Sequence, residues 1–259
     1  MIITATLKST GQKISAELKE IPNIKLVITT EITGYTLQYI YGSMVLKNMV
    51  IVVPTYKMDV EKEGKVLASY NVTRDAWYMR GILKEDNNYK YAQVSKRCFE
   101  PADGNVNLYA TEALSYPPNC GIDAFALRQK GTEILNAEPH IKEIQTTLDG
   151  KDIDDNRKDY SKAKGVMIHI AGWFNNGKEN KLAGSYGCFG IVPKAQIFLT
   201  KKEAEKVKDN GIYKNLEPAN QSYKKAINYI LKLKEDGKIQ VLIKKRTSIE
   251  QLKIIKEKK

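Results

Sequence analysis

The 259-residue sequence predicts a mainly β protein with peripheral helices, on three observations. Residues 1–100 carry short β-branched and aromatic runs without helical periodicity, glycines punctuate those runs, and the clearest helical patterns fall within a tail over residues 200–259. A chain of this length buries a substantial core, and the lack of internal repeats or low-complexity linkers predicts a single domain over residues 1–259.

Residues 24–30 (IKLVITT), 35–41 (YTLQYIY) and 49–53 read as separate antiparallel strands divided by Gly34 and Gly42. Residues 54–59, 66–73 and 76–83 continue the pattern, with Glu63-Gly64 as a hairpin turn. Between residues 98 and 160, Pro101, Gly104, the Pro117-Pro118 pair and Gly121 predict mostly loops, with one short helix over 123–136. The polar stretch 149–158 (DGKDIDDNRK) reads as a solvent loop leading into a strand over 165–170.

Thr200 followed by Glu203 makes a capping box for a helix running through Lys208. A second helix over 220–235 places Tyr223, Ile227, Ile230 and Leu231 on one face and ends at Gly237. Residues 238–243 (KIQVLI) predict a short apolar strand, and 248–256 a terminal basic amphipathic helix.

The formal charge of +12 is uneven, because residues 201–259 hold 17 Lys or Arg against 8 Asp or Glu, a surplus of 9. Such a tail suits an anionic polymer or a solvated helix face. Without aromatic interleaving or a glycine-rich nucleic-acid motif, no nucleic-acid partner is expected. The first twenty residues lack the basic-then-apolar layout of a secretory signal, and no segment approaches the roughly 18 apolar residues of a bilayer span. No transmembrane segment is therefore expected, and export would need another route or a leader removed from this chain. Cys98, Cys120 and Cys188 are distant and odd in number, which argues against a disulfide framework. With only His140 and His169, and no close ligand spacing, no metal and no cofactor are expected, and His140 reads as a surface residue.

Chemistry concentrates in residues 165–193 (GVMIHIAGWFNNGKENKLAGSYGCFGIVP). A thiol becomes a nucleophile when an imidazole takes its proton, so Cys188 and His169 are the candidate catalytic pair, with Ser185 beside them. Glycine next to the thiol lets backbone N–H groups approach a developing oxyanion. Taken singly, Cys188 is equally a small buried hydrophobe, His169 a core histidine, and Ser185 a turn residue satisfying local backbone groups. The Gly/Asn-rich stretch 172–184 reads as a mobile excursion, in which Trp173 and Phe174 either cover the site or anchor the loop. Arg74 either recognises a substrate carboxylate or pairs with an acid such as Asp75.

His169, fifteen intervening residues and then Ser185-Tyr186-Gly187-Cys188 resemble the motif of YkuD-like L,D-transpeptidases. The resemblance implies a β-rich catalytic domain acting on peptidoglycan stem peptides. In that role Cys188 attacks the amide carbonyl on the carboxyl side of the diamino acid, and His169 moves the proton. The backbone N–H groups of Tyr186, Gly187 and Cys188 form the oxyanion hole. Arg74 and Trp173 are the substrate-contact candidates on their own residue types, not on the resemblance. An amine acceptor gives transpeptidation and water gives carboxypeptidase hydrolysis. The implied place of action is the periplasm or cell envelope, reached from the cytoplasm without a signal peptide. Delivery by a secretion apparatus, and an immunity partner, would fit such a chain.

The chain departs from the family at Tyr186, Ile170 and Gly190, where many members have histidine, glycine or serine, and arginine. Arg74, Arg80, Arg97, Arg128 and Lys194 are the candidates to replace that arginine. Two other readings fit the residues. One is a cysteine amidase or peptidase on another substrate. The other is a non-catalytic β-rich domain that holds cell-wall polymer through its basic tail.

Overall fold

The computed structural model describes residues 2–6, 13–17, 24–40, 50–85, 88–99, 101, 108–113, 124–136, 144–147, 162–185, 187–234 and 239–246. Strands β1 (Ile2–Thr6), β2 (Lys13–Glu17), β3 (Ile24–Tyr39), β4 (Val50–Lys62), β5 (Lys65–Thr73), β6 (Asp75–Glu85), β7 (Asn88–Cys98), β8 (Leu108–Ala113) and β9 (Ala124–Gln129) come first. The short strands β10 (Ile134–Asn136), β11 (Ile144–Thr147), β12 (Lys162–Lys164), β13 (Met167–Ile170), β14 (Trp173–Asn175), β15 (Asn180–Leu182) and β16 (Phe189–Val192) follow. Helices α1 (Lys201–Asp209) and α2 (Asn220–Leu233) precede the last strand, β17 (Ile239–Ile243). The protein is mainly β with peripheral helices, as its residue pattern predicts.

Eight strands close into a barrel in the order β13-β16-β5-β4-β3-β17-β8-β9. Two of its seams are parallel, β13 with β16 and β17 with β3. Strand alternation sends one residue in two inward, and an eight-stranded barrel is just wide enough for side chains to fill. Ile24, Leu26 and Ile28 of β3, Met58 and Val60 of β4, Phe125 of β9, Ile168 of β13 and Phe189 of β16 therefore make one dry cluster. Phe189 meets Phe99 edge to face, with ring centroids 6.4 Å apart. From α2, Tyr223, Ile227 and Ile230 join the same cluster, and Leu231 packs against it. A second cluster of Leu37, Val52, Trp173, Leu182, Ala204 and Tyr213 carries α1 and the β14–β15 hairpin.

Glu63 and Gly64 both take positive φ, 52° and 77°, which closes the β4–β5 hairpin with the twist that two-residue turns prefer. Thr200 caps α1 as its spacing predicts. Its hydroxyl accepts from Glu203 N at 3.2 Å, and the Glu203 carboxylate accepts from Thr200 N at 3.3 Å.

Several expected boundaries are corrected. Residues 24–30 and 35–41 belong largely to one sixteen-residue strand, β3, and 49–53 and 54–59 to one strand, β4. Gly34 does not end a strand. At φ 149° it sits where β3 slips register against β4, and a Cβ there would lie 2.6 Å from Phe198 O, so glycine permits a close backbone approach. The helix expected over 123–136 is strand β9, a turn and β10. Ala124, Phe125, Ala126 and Leu127 are all buried, and a short run buried on both faces has no period that separates strand from helix. The stretch 98–160 holds β8 to β11 where loops were expected. Helix α2 stops at Leu233, because Lys234 is already extended. Gly42, His140, the stretch 149–158, Gly237 and the helix expected over 248–256 lie outside the described residues. No helix among the described residues is long and apolar enough to cross a membrane.

Candidate active site

The parallel β13–β16 seam builds the site. Its register pairs Ile168 with Phe189, His169 with Gly190, and Ile170 with Ile191. Ile168, Phe189, Ile170 and Ile191 belong to the core cluster, which leaves His169 and Gly190 on the other face. Cys188 immediately precedes β16, two residues before Gly190. Gly190 is constrained on both sides, since an added Cβ would lie 2.4 Å from Ala171 Cβ and 2.8 Å from Thr73 Oγ1. A side chain there requires its neighbours to shift. Gly190→Ala is expected to lower the unfolding free energy by about 1–3 kcal/mol, the usual penalty for overpacking, read as a lower urea midpoint at unchanged m-value.

The turn before β16 is held by Ser185, which is 2% exposed. Its Oγ accepts from Gly187 N at 3.1 Å and from Cys188 N at 2.8 Å, and donates to Cys188 O at 3.3 Å. One hydroxyl offers one donor and two lone pairs, so all three are used. Gly187 supplies the φ of 120° that this turn needs. The consequence bears on the expected oxyanion hole. The N–H groups of Gly187 and Cys188 are already satisfied by Ser185, and Tyr186 lies outside the described residues. Ser185→Ala strips both amides of their acceptor and is expected to cost about 1–3 kcal/mol by urea unfolding, whereas Ser185→Thr keeps the hydroxyl and most of the stability.

The Cys188 thiol donates to Gly165 O at 3.7 Å and makes no hydrogen bond to His169. Burial pushes the thiol above its ordinary value, opposed by hydrogen bonds from the Met167 backbone and the Ser185 side chain. His169 is 3% exposed, and its Nδ1 lies 2.6 Å from Ile170 O. A carbonyl only accepts, so Nδ1 carries the proton and Nε2 presents a lone pair. That Nε2 is buried with no partner among the described residues. Burial lowers the imidazole below its ordinary value, partly offset by the Ile170 hydrogen bond. At neutral pH the site therefore holds a protonated thiol and a neutral imidazole with its acceptor nitrogen unused. A buried acceptor without a donor is unfavourable by about 1–3 kcal/mol, and a proton arriving at Nε2 relieves it.

The stretch after His169, expected to be mobile, is an ordered hairpin. Asn176 Oδ1 accepts from Lys178 N and Glu179 N at 3.0 and 2.9 Å, and Gly177 turns the chain at φ 90°. Two side-chain amides replace a neighbouring strand along β14. Gln196, 2% exposed, accepts from Trp173 N at 2.7 Å and donates to Trp173 O at 3.0 Å. Asn220 does the same at Asn175, with both bonds at 2.8 Å. Neither residue was singled out by its sequence, because an isolated Gln or Asn shows nothing of its partner until the fold closes. Trp173, held this way, stacks edge to face on Tyr213 with centroids 5.5 Å apart. It shares the wall of a cavity of about 440 Å³ with His169, Phe174, Lys181, Tyr213 and Lys214. The fold thus brings His169 and Trp173 to one cavity, and puts Cys188 and Ser185 on the adjoining turn, outside its lining.

Arg74 is not a substrate contact in this structure. It is 0% exposed, donates from Nη1 to Thr29 O at 2.9 Å and Lys244 O at 3.1 Å, and stacks on Tyr56. The acid beside it, Asp75, pairs with Arg246 at 3.0 Å. Arg128 is engaged by Glu133 at 3.1 Å, Lys194 is exposed on the 3-10 turn Lys194–Gln196, and the side chains of Arg80 and Arg97 lie outside the described residues. Cys188 is a free thiol, Cys120 and the Cys98 side chain are outside the described residues, and no group of three or more potential metal ligands occurs among those described.

Fold and site together define a closed β-barrel that carries a histidine on a parallel strand pair and a cysteine on the turn that leads into it. Comparison with protein-family models, with curated proteins and with solved structures yields no match.

Proposed function

We propose that the protein is a cysteine acyltransferase or hydrolase of the L,D-transpeptidase kind, acting on peptidoglycan stem peptides in the bacterial cell envelope through a Cys188 thioester. The observation that carries the reading is the β13–β16 register, which sets His169 opposite Gly190, two residues after Cys188. In the reaction the thiol leaves the Gly165 carbonyl and gives its proton to His169 Nε2 as sulfur attacks the amide carbonyl. The tetrahedral oxyanion takes the N–H groups of Gly187 and Cys188 once the Ser185 hydroxyl releases them. Imidazolium then protonates the departing amine, the C–N bond breaks, and a thioester remains. An incoming amine or water attacks it, loses a proton to His169, and the thiol is restored.

Mass spectrometry of muropeptides incubated with the protein tests this. Cross-linked product or loss of the terminal D-residue is expected, together with a transient protein adduct on Cys188. Unaltered muropeptides would overturn the reading. A second reading, a non-catalytic barrel that binds wall polymer, is favoured by the two amides that Ser185 already satisfies. It predicts salt-sensitive sedimentation with purified cell wall and no turnover.

A further inference from the structure

The cavity beside His169 carries an unused charge pattern. Its mouth holds Lys181, Lys214 and Glu179, and neither ammonium has a carboxylate partner among the described residues. Each lies instead near an aromatic face of the wall, Lys181 Nζ at 6.0 Å from the Phe174 ring centroid and Lys214 Nζ at 5.9 Å from that of Tyr213. Two cations against one anion leave the mouth one positive charge in excess. Further in, Trp173 Nε1 is buried without an acceptor among the described residues, in the same wall as the partnerless His169 Nε2. A volume of about 440 Å³ with aromatic walls is ligand-sized and suits a chain of a few residues.

We propose that this cavity binds a short peptide by its terminal carboxylate, held between Lys181 and Lys214, with the chain lying against Trp173, Phe174 and Tyr213. The excess charge matches one carboxylate, and the aromatic faces already beside the two ammonium groups keep those cations near the mouth. The Gln196 and Asn220 amides fix β14, so Trp173 and Phe174 form a preset wall. The peptide nature of the ligand rests on the proposed function. The placement of its negative end rests on the cavity alone.

The test uses the full chain bearing Cys188→Ala, which cannot form a thioester, titrated calorimetrically with N-acetyl-Lys-D-Ala as the free acid and as the carboxamide. The acid is expected to bind about tenfold more tightly than the amide, with the difference shrinking in high salt. Lys181→Met and Lys214→Met should each reduce the preference, and the double variant should abolish it. Equal binding of acid and amide, no binding of either, or a preference surviving in the double variant would each overturn the proposal. The acid–amide comparison needs no lysine variant, so a variant that folds poorly does not decide the result. Preference without turnover in the native chain sinks the catalytic reading alone, and turnover without preference sinks only this one.

Discussion

Cys188→Ala is expected to lower turnover of a stem-peptide substrate by about 10⁴- to 10⁶-fold, the scale on which removal of a nucleophile acts. His169→Gln should fall within a similar range, and the double variant should be little worse than either, because in the proposed reaction the two groups act in one proton transfer. Rate measurements by mass spectrometry on the two single variants and the double separate this from a structural role, in which losses would add. Undiminished turnover in Cys188→Ala would remove the assignment. Replacing the thiol by a methyl group leaves the barrel intact, so the variant should melt within a few degrees of the parent.

The pH dependence follows from burial. Because burial depresses the His169 imidazole, its midpoint, and with it the acidic limb of kcat/KM, lies below about pH 6.5. Stability follows the same sign. The unfolded chain takes up the His169 proton more readily than the folded chain, so this contribution is full above the unfolded value and is lost as pH falls through the folded one. Cys188 runs the other way. Its thiol is raised by burial, so its contribution is full below the unfolded value and is lost as pH rises through the folded one. Iodoacetamide should accordingly alkylate Cys188 slowly at neutral pH and faster above the ordinary thiol value.

Arg246→Ala is expected to produce the largest loss of stability of any single change discussed, about 3–5 kcal/mol by urea unfolding. The Arg246 and Asp75 side chains are only 2% and 1% exposed and meet at 3.0 Å, so removing one takes a charge-assisted hydrogen bond from the other in a buried site. Arg246 also donates to the Tyr56 hydroxyl at 3.1 Å, which burial keeps protonated by raising it above its ordinary value. Arg74 and Arg246 lie near that ring, their guanidinium carbons 5.4 and 5.3 Å from its centroid. This clamp ties the segment after β17 to β4 and to the start of β6. Asp75→Ala should cost a similar amount, and the double variant less than the sum, because both single variants lose the same bond. A loss under about 1 kcal/mol for Arg246→Ala would mean the pair behaves like an exposed one.

What could be read before folding was local. The capping box at Thr200 and Glu203, the Glu63-Gly64 turn, the apolar face of α2 and strand β17 each depend on residues a few positions apart. The candidate nucleophile and base were legible for the same reason, since residue type and spacing sufficed. Gly34 was misjudged as a divider because its close neighbour, Phe198, is remote in sequence. Arg74 was misjudged as a ligand contact because a charged residue next to Asp75 gives no sign that Thr29 and Lys244 carbonyls will enclose it. The Gly/Asn stretch after His169 looked mobile until Gln196 and Asn220 arrived to pin β14.

By itself, then, the chain's sequence determined a mainly β protein, its two described helices and the candidate residues for chemistry. Only the tertiary structure decided that His169 pairs with Gly190, two residues after Cys188, that Ser185 occupies the amides beside the thiol, and that Gly190 has room for hydrogen alone. Capping, turns and alternation are set by forces between near neighbours, whereas these three facts come from closing a barrel whose β13–β16 and β3–β17 seams join segments far apart in the chain.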